Sequence, residues 1–449
     1  MTAAALPRAA EGCLGWAGVV RVGLVQAAIG AVVVLMTATV NRVMVVELAL
    51  PASVPGALVA LHFAVQLLLR PQLGFRSDRA PRRTPWIIGG LLLLASAGVA
   101  ASASTALLAS ARGPGLVAAT VSFLALGAGV SAAGTPLLAL LAEQVAPSRR
   151  ARAAAIVWLM MIAGFVATTL IASRLLAPFS LARLVGVTAL IGGGGAVLAV
   201  GALLGLERPR SGSAAPAAPA TDWGAAVRAV WAEPAARTFA LFIFIAMLAY
   251  SAQDLILEPY GGLVFGLSPA ETTRISGMHQ GGMLLGMLAA AVLATRDGAL
   301  RAWATWGCAG SALGFLALIL APVAGTAAAL GGAVLLLGLC NGAFAIGAIG
   351  CMMAFSVTEG GRDAGVRMGV FGAAQAVAYA IGGFAGALLS DLARLALGSV
   401  RAGYGLVFAL EAALFVAAAV LAARTTAPRA AAAALRAPAA GDTLLASLG

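Results

Sequence analysis

The sequence predicts an all-α membrane protein, twelve transmembrane helices in two six-helix halves, and three observations lead there. Of its 449 residues, 62% are hydrophobic and only 10% are charged, with a mean hydropathy of +1.01. A soluble domain carries roughly 25% charged residues, so this chain cannot cover its own surface in water. Apolar stretches near the roughly 20 residues that a bilayer core demands recur along the whole length. A polar break divides them six and six.

The expected spans are 17–40, 52–74, 86–110, 115–142, 152–177 and 182–206, then 238–257, 272–294, 302–322, 327–355, 366–391 and 403–423. The N-terminal half is thus 1–206 and the C-terminal half 238–424. Between them, 207–237 contains Ser211-Gly-Ser-Ala-Ala-Pro-Ala-Ala-Pro and reads as a flexible cytoplasmic linker. The Ala-rich tail, 425–449, is expected to be cytoplasmic and poorly ordered. Residues Met1 to Gly15 lack the basic start, apolar run and cleavage site of a signal peptide, so the first span is expected to stay as an anchor.

Net charge is +12, and every one of the 28 basic residues is Arg. The arginines lie between apolar blocks rather than along one polar face, which argues against nucleic acid as partner and for the lipid bilayer. With the N-terminus in the cytoplasm, about three-quarters of the 28 arginines fall on the cytoplasmic side. An even span count puts both termini there. Glycines such as Gly127, Gly129, Gly338, Gly342, Gly382 and Gly383 sit inside spans, where small residues let helix backbones approach closely. Cys13, Cys308, Cys340 and Cys351 have no metal-type spacing.

The turn after the second span reads Gly74-Phe-Arg-Ser-Asp78-Arg79-Ala-Pro-Arg82-Arg83. The glycine is expected to end the helix, the aspartate to cap or pair, and the arginines to hold the cytoplasmic face. This loop resembles the G-x-x-x-D-R-x-x-R-R signature of the major facilitator superfamily, with Pro81 where a second glycine is usual. Glu143-Gln-Val-Ala-Pro147-Ser-Arg149-Arg150 resembles that superfamily's next cytoplasmic loop, and Arg296-Asp297-Gly298 is a degenerate copy of the first.

Longer strings narrow the resemblance. Asn41-Arg42-Val-Met44-Val-Val-Glu47 closes the first span, and Gln253-Asp254-Leu-Ile-Leu-Glu258-Pro259-Tyr260 closes the seventh. With Arg367-Met-Gly-Val-Phe-Gly372-Ala-Ala-Gln375 and Tyr404-Gly-Leu-Val-Phe-Ala-Leu-Glu411, they resemble the PucC/LhaA family of phototrophic bacteria. Thr84-Pro-Trp-Ile-Ile-Gly-Gly90 and the short loop before it are similar to the subgroup known as the accessory chain of bacteriochlorophyll synthase. The resemblance implies a protein of the bacterial inner or intracytoplasmic photosynthetic membrane. It would take part in light-harvesting complex assembly, or deliver bacteriochlorophyll to the antenna polypeptides and the synthase.

Catalysis is not expected. Prenyl transfer to a chlorophyllide needs a diphosphate held by Mg²⁺ among clustered carboxylates, and no two of the seven aspartates are spaced D-x-x-x-D. No metal or required cofactor is expected; bacteriochlorophyll or a precursor is the expected ligand. Asp254 and Glu258 share a helix face at a span end. They are read either as groups that bind a cation, steer a ligand or pair with Arg42, or as a structural ion pair or cap at the membrane surface. Glu411 stands alone near mid-span and is a functional candidate.

His62 and His279 occupy equivalent spans of the two halves and are candidates to face each other and ligate a pigment's magnesium. Gln66 and Gln280 would then bond pigment carbonyls; the alternative is a pair of histidines bonded to neighbouring helices. The leading expectation is pigment handling. A proton-coupled small-molecule exporter and a pigment-free assembly factor stand beside it.

Overall fold

The computed structural model describes residues 14–146, 149–207, 228, 231–293, 299–356 and 364–425. Among them are twelve helices long and apolar enough to cross a membrane. The first, α1, runs Trp16–Val34 and continues through π-helical turns at Leu35–Val40 and Val43–Glu47. The N-terminal half goes on with α2 (Ser53–Arg79), α3 (Thr84–Ser110), α4 (Arg112–Gln144), α5 (Arg150–Leu175) and α6 (Leu181–Leu203). The C-terminal half holds α7 (Pro234–Phe265), α8 (Pro269–Leu293), α9 (Ala299–Ala324), α10 (Ala327–Ser356), α11 (Ala364–Leu397) and α12 (Val400–Arg424).

Helix ends follow local chemistry. Ser180 caps α6 by accepting from Arg183 N, and Ser399 caps α12 by accepting from Ala402 N. Gly266, at φ 69°, closes α7 in the left-handed conformation that a side chain disfavours. The linker core 208–227, the Arg296-Asp297-Gly298 copy, the tail from 426 and the side chains of 367–370 and 373 lie outside the described residues.

Several helices outrun the expected spans, among them α11, which runs on to Leu397. α1 reaches Glu47, α2 passes through Gly74 to Arg79, and α7 covers 32 residues. Gly74 therefore does not end its helix. The glycine and the polar residues near the expected span ends do not stop these helices, because a polar residue bonded inside a bundle stays helical. Asp254 and Glu258 therefore lie within α7 and not at its end, eleven and seven residues before Phe265.

Each half packs around its own core, one centred on α1, α3 and α4, the other on α7, α9 and α12. α2 packs against α11 and α5 against α8, and these two contacts join the halves. Within each half the closest approaches use glycine. A Cβ on Gly127 of α4 would meet His62 O of α2 at 2.6 Å, and one on Gly338 of α10 would meet His279 O of α8 at 2.2 Å. In lipid, such backbone contact supplies the dispersion that holds helices together. A Cβ on Gly342 would likewise meet Met283 O at 2.0 Å, and backbone cannot step aside. Gly342→Val should lower stability by about 1–3 kcal/mol, the usual cost of overpacking. Thermal unfolding in detergent will register it, whereas Gly193→Ala, at an exposed position with open space around it, should leave the midpoint unchanged.

Candidate functional site

With twelve antiparallel spans, both ends of the helical chain lie on one side, here termed the termini end. The halves are bonded together near the opposite, far end. Asn41 donates through Nδ2 to Leu255 O at 2.6 Å, and Thr39 and Thr273 share a hydroxyl bond of 3.1 Å. Arg42, only 1% exposed, donates to Leu267 O at 2.6 Å and forms an ion pair with Glu47. Asp391 of α11 accepts from Ala52 N and Ser53 N at 2.9 and 2.8 Å, capping α2 from the other half. The π-helical turns of α1 carry Thr39 and border Asn41 and Arg42, and such turns concentrate at functional positions.

Above this seal the two halves meet through aromatic rings. Phe63 of α2 lies 5.5 Å from Tyr379 of α11, which in turn lies 5.9 Å from Tyr250 of α7. Two turns closer to the termini end, on the faces that carry Phe63 and Tyr379, stand Arg70 and Gly372. Both are exposed, and nothing lies within 4 Å of where a Gly372 Cβ would be. Val59, His62, Gln66 and Ser77, on the same inward side of α2 as Arg70, are buried. The exposed Arg70 and the open space at Gly372 are what point to a crevice between α2 and α11, on the termini side of the three rings.

The histidines are not brought together as expected. His62 is bonded within α2: its Nε2 lies 2.7 Å from Gln66 Nε2, while Arg70 donates to Gln66 Oε1. Arginine only donates, so Gln66 must present its amide N–H to the ring. The His62 Nε2 lone pair is thereby occupied and the ring proton sits on Nδ1, which is buried without a partner. His279 sits inside the other half, its Nε2 3.1 Å from Gln253 Nε2 and 3.3 Å from Asn341 Nδ2. Asn341 also donates to Gln253 Oε1 and accepts from Ser311 Oγ. As bonded, neither imidazole offers a lone pair to a magnesium ion. Gln280 is buried with its carbonyl oxygen unpartnered.

The acidic candidates separate. Glu258, 1% exposed, accepts from Ser276 Oγ at 2.7 Å, within Coulombic reach of Arg42, whose ion pair is with Glu47 instead. Asp254 is half-buried near Tyr250, Tyr379 and Glu411. Glu411 is 2% exposed, with neither carboxyl oxygen hydrogen-bonded. Tyr260, expected with this group, instead donates to Leu318 O at 2.7 Å within a ring cluster of Phe265, Tyr404 and Phe408.

At the termini end, the signature loop is organised by Arg83. Its buried guanidinium donates to Ser77 Oγ at 2.8 Å, Asp78 Oδ1 at 2.5 Å and Glu143 Oε1 at 2.5 Å. Glu207 accepts from Arg83 N and Thr84 N, capping α3 from the chain beyond α6. Arg79 stacks on Phe75 at 3.7 Å, and Arg82 is exposed.

Sequence reading missed Arg70, Asn341, Tyr379 and Asp391. Only Arg70 carried a local signal: an arginine inside an apolar run, four residues beyond Gln66. The others depend on pairings between distant helices. The far-end seal makes its own forecast. Arg42→Ala should loosen it, raising the rate at which a Thr273→Cys thiol reacts with maleimide by about tenfold, equivalent to roughly 1.4 kcal/mol in opening. The same probe with Arg79→Ala should react at the parent rate.

The family model described as PUCC protein matches residues 39–430. The chain is 46% identical over 422 residues to the Bacteriochlorophyll synthase 44.5 kDa chain of Rhodobacter capsulatus, covering 93% of this chain and 97% of that one. It is 30% identical to Protein PucC of Rhodobacter capsulatus, covering 88% and 89% of the two chains. Among solved structures, it resembles a bacterial homologue of the human lysosomal transporter Spinster, in an inward-facing and unoccupied conformation. The TM-score is 0.69 at 16% identity, with 91% and 96% of the two chains covered. A D-xylose–proton symporter gives a TM-score of 0.69 at 14% identity, covering 92% and 98%. At such identities the likeness shows the fold alone, which is that of the major facilitator superfamily. The match across nearly all of its hydrophobic length makes this multi-pass membrane protein a member of the PucC family.

Proposed function

We propose that this protein holds bacteriochlorophyll or a precursor in the crevice between its halves and delivers it during bacteriochlorophyll synthesis and light-harvesting complex assembly. The observation that carries the reading is the crevice itself: closed at the far end, open at the termini end, and floored by Phe63, Tyr250 and Tyr379. Flat rings stack on rings, and an apolar wall within a bilayer suits a chlorin. Membership of the PucC family and the name of the 46% identical relative, a bacteriochlorophyll synthase chain, support the pigment class.

The role is delivery and not catalysis. Asp254 and Glu258 have different neighbours: Asp254 lies near Tyr250 and Tyr379, and Glu258 accepts from Ser276. They do not form the paired carboxylates that a magnesium diphosphate requires. The arginine bias orients the termini end toward the cytoplasm, so the crevice opens on the side of the inner membrane where a synthase or antenna polypeptide would receive the pigment.

A second reading, proton-coupled export of a small molecule, is favoured by one feature. Asp254 and Glu411 lie within electrostatic reach of each other inside the bundle, and Glu411 has no bonded partner. Intramembrane acids of this kind mark proton routes.

Purification from a pigment-making host in mild detergent separates the readings. The expected product carries a chlorin absorption spectrum, and Phe63→Ala with Tyr379→Ala should reduce the bound pigment by about tenfold, as loss of about 1.4 kcal/mol of stacking predicts. His279→Ala should leave the pigment in place, because that ring is committed to Gln253 and Asn341. A colourless protein that drives proton-dependent efflux supports export, and a colourless one holding antenna polypeptides supports a pigment-free assembly role. Either result removes the proposal.

A further inference from the structure

We infer that Arg70 binds the carboxylate of an unesterified chlorin, so that the crevice selects the free-acid precursor over the finished prenyl ester. The inference deepens the pigment reading and rests on it.

Arg70 lies one turn beyond Gln66, the midpoint of α2, inside a helix long and apolar enough to cross a membrane. An arginine at such a depth ordinarily snorkels to the nearer surface. Arg70 does the reverse. Its guanidinium donates to Gln66, one turn back toward the membrane centre. Among the described residues no carboxylate pairs with it, whereas Arg42, Arg83 and Arg394 each have one. A cation held at depth by a single neutral amide is costly unless it faces water or an anion.

The crevice supplies the place for that anion. Arg70 is exposed there, on the helix face of Phe63 and two turns above it, opposite the open space at Gly372. A macrocycle seated against Phe63 and Tyr379 would have its edge within a side chain's length of the guanidinium. The acid precursor and the prenyl ester share their ring system and differ at one edge substituent, which is a carboxylate only before esterification. A bidentate guanidinium–carboxylate pair recognises that difference, and an ester cannot reproduce it. His62 and Gln66 act as positioning residues, because the His62 Nε2 acceptor orients the Gln66 amide that in turn directs Arg70.

The test uses the purified full chain in dodecyl maltoside, titrated with a zinc chlorin bearing one free propionate and with the methyl ester of the same compound. Binding is read by quenching of tryptophan fluorescence and by the shift of the chlorin absorption band. The parent protein should bind the acid at least about tenfold more tightly than the ester, as a charge-assisted pair predicts. Arg70→Gln should bring acid affinity down to that of the ester and leave ester affinity unchanged, while Arg70→Lys should recover part of the preference. Equal binding of acid and ester by the parent protein overturns the inference and leaves the pigment reading standing. Failure to bind either compound overturns the pigment reading. Arg70→Gln that weakens both equally makes Arg70 a structural residue. Competition by phosphatidylglycerol but not by phosphatidylcholine assigns the guanidinium to a lipid phosphate; both outcomes overturn the inference.

Discussion

No water reaches the hydrocarbon of a bilayer, so every polar side chain placed there must be bonded within the protein or face a wet space. That single constraint sorts the polar residues of this chain. Asn41 bonds a backbone carbonyl of α7, and Gln253, His279, Asn341 and Ser311 satisfy one another across four helices. Both groups are closed. The row His62, Gln66 and Arg70 is not closed, because its outermost member is a cation without an anion among the described residues, and it runs along the face of α2 that leads toward the proposed crevice. Polar residues that satisfy each other hold the bundle together; Arg70 and the buried Glu411, whose carboxyl oxygens have no hydrogen bond among the described residues, stand apart from them.

The same constraint explains the polarity of the closure. The far end is sealed by charge and backbone together: Arg42 is tied to Glu47 and to a carbonyl of the opposite half, and Asp391 reaches across to cap α2. A buried ion pair is costly to expose singly, so opening this end must break several bonds at once. Toward the termini end, the α2–α11 contact gives way to exposed Arg70 and Gly372. A crevice open at that end needs fewer bonds broken to exchange its contents than passage through the far end would.

Much of the fold was legible in the sequence because membrane insertion writes it in apolar length and in the placement of arginine. Twelve spans follow from stretches that only lipid tolerates, and the PucC strings at Asn41–Glu47 and Gln253–Tyr260 are local in sequence. The site was less legible. Arg42 was expected to meet Asp254 or Glu258, yet its carboxylate is Glu47, five residues along its own helix, while α7 supplies a carbonyl acceptor for Asn41. Glu207 read as linker and is a cap on α3, since a cap needs only one residue to return from a loop. Asn341 sits in an apolar run with no periodic signal, and its meaning depends on Gln253 and His279, 88 and 62 residues away. Tertiary pairing of this kind has no spacing rule to reveal it.

The two halves repeat one another in backbone and diverge in side chains, and the divergence is informative. In each half a histidine carbonyl packs against a glycine of the helix two further on, Gly127 against His62 and Gly338 against His279. The repeat thus fixes where each imidazole begins. It does not fix what surrounds the ring. Around His279 the neighbours are amides from α7 and α10, which close the network inside the C-terminal half. Around His62 the neighbours are the next two turns of its own helix, which carry the hydrogen bonds outward to Arg70. A symmetric metal clamp between two histidines is therefore the wrong picture. The C-terminal half closes its polar residues into a network, and the N-terminal half presents a directed cation two turns from the aromatic rings. Asymmetry of this kind suits the proposed carrier, which would grip its cargo by one edge.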